Sequence, residues 1–372
     1  MKIAIITHVK HIYKNDQYFG YAPYIGEMNV WLKFVSEVII VAPLVEEVPT
    51  AIDISYQHRK IELLKIPSFD ITSFNNFSSA ILKFPVIFWN IFKVMKKADH
   101  IHLRCPGNVG LLGCLVQILF PQKKKTAKYA GNWDPKSKQP WTYRLQKWIL
   151  SNTFLTRNMQ VLVYGNWPNQ SKNIKPFFTA TYSESEKEII QKNKFELGLK
   201  FIFVGSLVIG KNPIYAVKLV EELIKKGYNV SLDLYGEGDQ RAFLEKYIET
   251  NNLQKQIVLR GNQNREMIKE ALKQSHFVLL PSKSEGWPKA IAEGMFWGAL
   301  PISTEVSCVP FMLDNGKRGI LLVMDLEKDL KQILSIIEEE STFKEKSELA
   351  QKWSQNFTTD LFETEIKTLL QK

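Results

Sequence analysis

Two glutamates in the C-terminal half have a spacing that could serve chemistry. Glu285 and Glu293 are separated by seven residues and follow an apolar run at 277–280 that predicts a buried strand. Gly286 and Pro288 predict a turn into a helix, whose N-terminus is a natural anion site. On one continuous helix the carboxylates would lie roughly 12 Å apart. That spacing suits a long ligand with a phosphate centre and hydroxyls at each end, such as a nucleotide-sugar.

A second pattern typical of phosphate binding lies near residue 205. The apolar residues 200–204 predict a strand, Gly205 a turn, and Pro213 the start of a helix, with Lys211 just before it. The helix begun near Pro288 is expected to run to about residue 297, with Gly298 after it. A further helix is expected near residues 184–194, at the start of the second half. Alternatively, glutamates and lysines in such places are ordinary solvated surface residues.

The stretch SEGWPKAIAEGMFWGALPIST, residues 284–304, resembles a known signature. It is similar to that of retaining glycosyltransferase family 4 (glycosyl transferases group 1): a Glu-Gly turn, seven residues between glutamates, and a small residue with Gly before a short strand. The resemblance implies an α/β protein with the GT-B fold. In that fold two Rossmann-like βαβ domains face each other across a cleft and the C-terminal helix crosses back to the first domain. The resemblance covers most of residues 200–325 and the first half loosely.

The resemblance also implies roles for the site residues. Glu293 is expected to hold the ribose hydroxyls, and Glu285 to orient the transferred sugar. Lys211 is expected to bind the donor diphosphate, with Ser206 standing where the family usually has Arg. Glu285 and Lys211 are the expected catalytic residues. The expected donor-binding residues are Gly205, Ser206, Lys211, Gly236, Gly261, Gly286, Trp287, Pro288, Lys289 and Glu293.

The acceptor is expected to contact the first half of the chain. Residues 8–24 are predicted to be a long loop, with Gly20-Tyr21 where the family often has Gly-Gly. Arg104 follows a predicted strand and either contacts a phosphate or acidic sugar or forms a structural ion pair. Ala130 stands where the family commonly has His, so the neighbouring polar residues would replace that contact. The expected acceptor-side residues are Gly20, Tyr21, Arg104, Asn132, Trp133 and Asp134, the last three as an aromatic and polar platform for a sugar.

No metal or cofactor is expected. His100 and His102 share a strand face, but no third ligand is marked nearby, and the three cysteines lack a CxxC spacing. The resemblance implies that cationic side chains and helix N-termini neutralise the leaving diphosphate. The nucleotide-sugar is a substrate rather than a cofactor.

Length and charge set further expectations. The chain has 372 residues and a net charge of +11. Residues 1–176 with a C-terminal helix at about 357–372 are expected to form the acceptor-side domain, and residues 177–356 the nucleotide-sugar-binding domain. Residues 101–180 hold 12 Lys and Arg but one acid. Residues 1–180 together hold 23 Lys and Arg but 10 acids. This basic half suits an anionic membrane, a phosphorylated acceptor or nucleic acid, or is a solvated surface; no nucleic-acid motif supports nucleic acid.

The sequence suggests a cytoplasmic protein, with the inner face of the membrane as a candidate peripheral location. Its apolar stretches of about a dozen residues are shorter than the roughly 20 that span a bilayer, and the first apolar run is too short for a signal peptide. Residues 76–97 predict a helix with aromatic and basic faces, suited either to a membrane interface or to a core with a lysine rim.

The predicted function is transfer of a sugar from a nucleotide-sugar to a glycan or lipid-linked acceptor, with retention, in cell-surface polysaccharide synthesis. Two alternatives remain open. One is a non-catalytic GT-B protein that binds sugars or nucleotides. The other is a nucleotide-sugar epimerase of the same architecture, which the spacing of the two glutamates disfavours.

Overall fold

The computed structural model describes residues 1–67, 74–190, 192 and 194–371, and for residues 74–83 only the backbone. Internal contacts divide the chain into two units. The first contains residues 1–178 and 363–372, and the second contains residues 179–362. The sequence-based boundary after residue 176 lies two residues before this division, and the last helix enters the first unit at Glu363.

Among its described residues, the first unit has ten strands and four helices. Near-continuous apolar runs make its central strands, as expected for a parallel sheet buried on both faces. The strands are β1 (Lys2–Ile6), β2 (His11–Lys14), β3 (Gln17–Tyr21), β4 (Glu37–Val45), β5 (Asp53–Ser55), β6 (Ile61–Ile66), β7 (His100–Cys105), β8 (Lys124–Tyr129), β9 (Met159–Tyr164) and β10 (Ile174–Phe177). The helices are α1 (Ala22–Leu32), α2 (Phe74–Lys97), α3 (Asn108–Val116) and α4 (Trp141–Ser151), with the last part of α12, described below, added to this unit.

The main sheet of the first unit is parallel, in the order β6-β4-β1-β7-β8-β9-β10. In chain order its first six strands run 3-2-1-4-5-6, the Rossmann arrangement. β2 pairs with the end of β4, and β3 and β5 follow as antiparallel neighbours. This addition overturns the predicted loop at residues 8–24. Asn15 and Asp16 adopt positive φ angles of 50° and 57°, which suit the tight turn between β2 and β3.

The second unit has a six-stranded parallel sheet in the order β13-β12-β11-β14-β15-β16, which is again 3-2-1-4-5-6. Its strands are β11 (Leu199–Val204), β12 (Val230–Tyr235), β13 (Ile257–Gly261), β14 (Phe277–Leu280), β15 (Leu300–Thr304) and β16 (Ile320–Leu322). Its helices are α5 (Pro213–Lys225), α6 (Arg241–Thr250), α7 (Arg265–Gln274), α8 (Lys289–Phe296), α9 (Val309–Met312), α10 (Leu326–Ile337), α11 (Glu340–Ser354) and the start of α12 (Thr359–Gln371).

Aromatic packing joins the two central strands of this sheet. The ring of Phe201 on β11 stacks on that of Phe277 on β14 at 4.7 Å, and Phe343 of α11 packs edge-on against Phe277 at 5.2 Å. Burial of each such side chain contributes roughly 1.5–3 kcal/mol. The strand order reverses between β11 and β14. Open α/β sheets bind ligands beyond the carboxyl ends of the strands at such a point.

The predicted α/β class is confirmed, but two predicted helices differ. The predicted helix at 184–194 is a single 3-10 turn, Glu184–Glu186, closed by a capping box from Ser183; residues 191 and 193 lie outside the described part of the chain. The Glu186 carboxylate instead pairs with Arg265 at 2.7 Å, on α7. The helix predicted to start near Pro288 begins one residue later, at Lys289. Pro288 itself has an extended backbone conformation and precedes α8. The predicted helix at 76–97 lies within α2, and its side chains before residue 84 fall outside the description.

Candidate functional site

Three glycines predicted to bind the donor lie at the carboxyl edge of the second sheet. We call Gly205, Gly236 and Gly261 the glycine floor, because they present only backbone there. Gly205 donates a hydrogen bond to the Tyr235 carbonyl at 2.9 Å, and Gly236 donates one to the Gly261 carbonyl at 2.9 Å. Gly236 and Gly261 have φ angles of +140° and +67°. A Cβ atom on Gly236 would come closer than 3.0 Å to the Gly205 carbonyl. Position 236 therefore requires glycine, because a side chain there would collide with the Gly205 carbonyl.

The loop after β11 is anchored on both sides. Leu207 donates to the Glu237 carbonyl at 2.9 Å, in the turn after β12. Lys283, after β14, donates to the Gly210 carbonyl at 2.9 Å. These bonds fix the loop that carries Ser206, which is exposed, and Lys211, which is half-buried just before α5.

Lys211 reaches the turn after β14. Its ammonium lies 2.6 Å from Oε1 of Glu285, whose side chain is almost fully buried. The loop before α9 holds the same turn, because Ser307 Oγ and Cys308 Sγ donate to the Gly286 carbonyl at 3.3 and 3.0 Å. Burial raises the pKa of Cys308 to about 12, so its sulfur is a neutral thiol near pH 7. The structure thus brings a cation and a carboxylate together where the strand order reverses.

The turn and the first residues after it pack against the end of α11. The indole of Trp287 is buried and stacks on that of Trp353 at 6.1 Å, with Phe357 edge-on at 5.5 Å. α8 then begins at Lys289. Since Glu285 lies in the turn and not on α8, the estimate of roughly 12 Å between the two carboxylates, which assumed one helix, does not apply.

Glu293 lies on α8 beside a small pocket of the second unit. Its Oε1 accepts a hydrogen bond from Thr181 Oγ1 at 2.6 Å. Burial raises the pKa of Glu293, while Lys289, Thr181 and Arg265 offset part of that shift. The pocket encloses about 270 Å³ of empty space, including space open to solvent, and is lined by Thr179, Ala180, Thr181, Tyr182, Lys289, Ala292, Glu293, Phe296, Ser354 and Phe357.

Thr181 is a contact that sequence reasoning missed. It lies 112 positions from Glu293 in the chain, in a stretch without regular structure. A lone threonine in a loop carries no pattern that would have marked it.

The predicted acceptor-side residues are dispersed in the first unit. Gly20 is buried in β3, opposite His11 of β2, and Tyr21 is exposed just before α1. Of the two alternatives for Arg104, a ligand contact or a structural ion pair, the structure shows the ion pair. Its guanidinium lies 3.2 Å from Oε1 of Glu27. The same Glu27 oxygen lies 2.9 Å from the buried ammonium of Lys128. Arg104 is thus held by a charge network of its own unit.

The predicted sugar platform at residues 132–134 is wrong, because Trp133 is buried. Trp133 is 3% exposed, packs edge-on against Tyr129 at 4.8 Å, and donates its indole N–H to Gln170 at 2.8 Å. Its ring face is therefore part of the core and not open to a sugar. Asn132 Oδ1 accepts from the Asp134 amide at 2.9 Å, and Asp134 Oδ1 accepts from the Lys136 amide at 2.8 Å. Both side chains stabilise their own turn.

The two strand histidines of the first unit share one partner. His100 Nε2 and His102 Nδ1 each lie 2.9 Å from Oγ1 of Thr126, whose hydroxyl can donate to one ring and accept from the other. Burial lowers the pKa of His100 to about 4 and that of His102 to about 3. Across the described residues, no three His, Cys, Asp or Glu side chains form a group that could hold a metal ion.

The described helices are shorter or more polar than a membrane span requires. None of them combines the length and apolar character needed to cross a membrane.

Comparison with known proteins finds a family match within the second unit. Residues 184–359 match the family model described as glycosyl transferases group 1. The chain is 26% identical over 189 residues to an uncharacterized glycosyltransferase of Methanocaldococcus jannaschii, covering 50% of this chain and 51% of the relative. It is 24% identical over 239 residues to the protein CapJ of Staphylococcus aureus, covering 60% of each. The chain thus spans about half to three-fifths of the length of these curated relatives.

Solved structures show the same fold over the whole chain. HepE of Anabaena, in complex with UDP and glucose, covers 100% of this chain and 99% of its own, with a TM-score of 0.70 and 12% identity. Sucrose-phosphate synthase of Thermosynechococcus elongatus covers 100% and 98%, with a TM-score of 0.68 and 14% identity. At such low identity the likeness concerns the fold. Residues 184–359 therefore resemble glycosyl transferases group 1, and the chain has the GT-B fold.

Proposed function

We propose that the chain is a glycosyltransferase that moves a sugar from a nucleotide-sugar to a glycan or lipid-linked acceptor, with retention at the anomeric carbon. The observation that carries this proposal is the pair formed by Lys211 and Glu285 beside the glycine floor of the second unit. A cation for a diphosphate and a carboxylate for sugar hydroxyls stand together at the edge where such sheets bind ligands.

Lys211 suits the diphosphate. An ammonium has three N–H donors, so one can stay on Glu285 while the other two reach phosphate oxygens. Its charge would stabilise the negative charge that develops as the donor bond breaks. Ser206 offers a hydroxyl without a charge, and the backbone N–H groups at the start of α8 add a positive dipole end. These groups neutralise the leaving group without a metal, so we propose no metal or cofactor.

The two glutamates would hold the ends of the donor. Glu285 accepts hydrogen bonds from hydroxyls of the transferred sugar, and Glu293 accepts them from the ribose. The glycine floor lets the donor approach the backbone closely, with the base near Gly261.

The chemical step needs no base from the protein. The acceptor oxygen attacks the anomeric carbon on the face from which the diphosphate departs. The bond between that carbon and the phosphate oxygen breaks, and the acceptor's proton passes to the departing oxygen. The products are the glycosylated acceptor and a nucleoside diphosphate.

Relatives support the kind of substrate. One is named a capsular polysaccharide biosynthesis glycosyltransferase, of Staphylococcus aureus, at 29% identity over 129 residues. Another is the poly(glycerol-phosphate) alpha-glucosyltransferase of Bacillus subtilis, at 26% over 167 residues. With the UDP complex of HepE, they make UDP-sugars the first donors to test and a cell-surface polymer the proposed product.

The test is a thermal-shift panel of UDP, GDP, ADP, CMP and their sugars, with and without EDTA. A ligand at about 100 times its Kd stabilises by about 2.7 kcal/mol, which raises Tm by a few degrees. We expect one nucleotide to shift Tm regardless of EDTA, Glu293→Ala to abolish the shift, and Glu249→Ala, an exposed glutamate on α6, to retain it. Absence of any shift would contradict the proposal.

Turnover of the labelled donor separates the alternatives. We expect transfer only with an acceptor, and a lower rate in Glu285→Ala with nucleotide binding retained. Binding without turnover would indicate a non-catalytic protein, and conversion of the donor alone an epimerase.

A further inference from the structure

The first unit exposes large apolar side chains that a water-facing surface seldom leaves open. Five of them are between 53% and 71% exposed: Trp89 on α2, Leu119 before β8, Trp141 and Trp148 on α4, and Phe154 after it. We call these five residues, with Lys93, Lys123, Arg144 and Arg157, the aromatic–basic face. Exposed apolar residues that cluster mark an interaction surface.

The α2 side of this face is connected by direct contacts. Trp89 stacks on Phe92 at 5.3 Å, and Phe92 meets Phe120 at 5.2 Å. The ammonium of Lys123 lies 5.8 Å from the Phe120 ring and donates to the Lys96 carbonyl at 2.8 Å. The end of α2 and the segment around Leu119 therefore form one surface.

Hydrogen bonds continue this surface toward α4. Asn158 donates to the Pro121 carbonyl at 3.0 Å, and Gln117 donates to the Leu155 carbonyl at 3.1 Å. These bonds bring the segment of Leu119 beside that of Phe154. On α4, Trp141, Arg144 and Trp148 are spaced by three and four residues, so they lie along one helix face.

The charge of this region is strongly positive. Residues 84–160 contain 13 Lys and Arg but two acids, Asp99 and Asp134. Asp99 accepts a hydrogen bond from the Lys2 amide at 2.7 Å, and Asp134 caps its own turn. Cations also lie over exposed rings, with Lys93 at 5.5 Å from the Trp89 ring and Arg157 at 5.0 Å from the Phe154 ring. Such pairs present an apolar body with a cation at its rim.

We propose that the aromatic–basic face docks the protein on an anionic phospholipid bilayer. Tryptophan rings favour the depth of the lipid headgroups, and each Lys or Arg near an anionic membrane surface adds attraction to the lipid phosphates.

A second copy of the chain fits poorly, because two such faces would oppose like charges. Leu119 also argues against a nucleic-acid strand, since an aliphatic side chain offers no ring for a base to stack on. The docking uses none of the donor-site residues.

The experiment is flotation of the full-length protein with two kinds of vesicle: pure phosphatidylcholine, and equal parts of phosphatidylcholine and phosphatidylglycerol. We expect binding to the anionic vesicles that weakens as salt rises, and little binding to the neutral ones. Trp148→Ser and Phe154→Ser should each weaken partitioning about tenfold, because each removes an inserted apolar side chain. Arg157→Glu should weaken it about fivefold or more.

Matched controls come from the second unit. Phe243 is 52% exposed on α6, and Phe243→Ser and Lys246→Glu should bind vesicles like the wild type. The face variants should unfold at the wild-type temperature and keep any nucleotide-induced thermal shift, so that failure here is distinguishable from failure of the proposed function. Equal binding to both vesicles, wild-type binding by the face variants, or equal losses in the controls would overturn the proposal. Binding to a single-stranded oligonucleotide, or self-association that the face variants abolish, in place of vesicle binding would also overturn it.

Discussion

The ammonium of Lys211 lies 2.6 Å from the carboxylate of Glu285 and joins the loop after β11 to the turn after β14. These two segments follow the neighbouring strands between which the sheet reverses its order. The pair holds both side chains in place before any ligand arrives.

Removal of the cation from this pair should destabilise the protein. Lys211→Gln leaves the buried Glu285 carboxylate without its partner, and we expect a loss of about 1–2 kcal/mol; partial exposure of the lysine limits the effect. Urea unfolding measures it. The double variant with Glu285→Gln should be more stable than Lys211→Gln alone. Arg241→Gln, which breaks exposed pairs with Glu237 and Glu245, should cost about 0–1 kcal/mol, and an equal loss in both single variants would refute this view.

Position 236 of the glycine floor should not tolerate a methyl group. Gly236→Ala places Cβ closer than 3.0 Å to the Gly205 carbonyl and requires φ of +140°, so we expect a loss of about 3 kcal/mol or more, or failure to fold. Gly210→Ala is the control, because no atom lies within 4 Å of its added Cβ; its stability should stay within about 1 kcal/mol of the wild type. Thermal unfolding of both variants measures the difference in stability. Similar stability in the two would show that the floor can yield.

The Glu293 carboxyl should destabilise the ligand-free protein at neutral pH. Burial raises its pKa, so its ionised form is disfavoured in the folded chain. The contribution of this carboxyl to stability is fully present below its unfolded pKa and is lost as the pH rises through the folded pKa. Glu293→Gln should therefore raise Tm at pH 7 while it weakens nucleotide binding. A lower Tm in this variant would mean that the ionised carboxylate stabilises the fold.

Mild acid should destabilise the first unit. Burial lowers the pKa of His11 and His100 to about 4 and that of His102 to about 3, whereas an unfolded histidine has a pKa of about 6.5. The unfolded chain therefore binds more protons, and stability should fall as the pH drops from about 6.5 to about 4. The loss is on the order of 2–3 kcal/mol per histidine. Urea unfolding between pH 7 and pH 4 measures this loss.

The number of protons that the chain takes up on unfolding provides the control. His11→Gln removes one titrating ring, so the slope of stability against pH should decrease by about one proton. A flat profile in the wild-type protein would contradict the assignment of these buried neutral rings.

The parallel sheets and the glycine turns could be predicted because apolar runs ending in Gly are local signals. The pairing of Lys211 with Glu285 depends on strand order, which no spacing in the chain encodes. The hairpin of β2 and β3 was missed because Asn15-Asp16 lacks the glycine that usually marks such a turn. The polar neighbours of Trp133 predict a surface platform, yet the ring is buried and its partner Gln170 lies 37 residues away.

The stack of Trp287 on Trp353 has an optical consequence. Two indoles at 6.1 Å with planes 23° apart couple their excited states, and one of them directly follows Gly286. The near-ultraviolet circular dichroism of the native chain should therefore carry a signature of this pair. Any rearrangement of the turn would change that signal, so the protein contains its own spectroscopic reporter beside the candidate site.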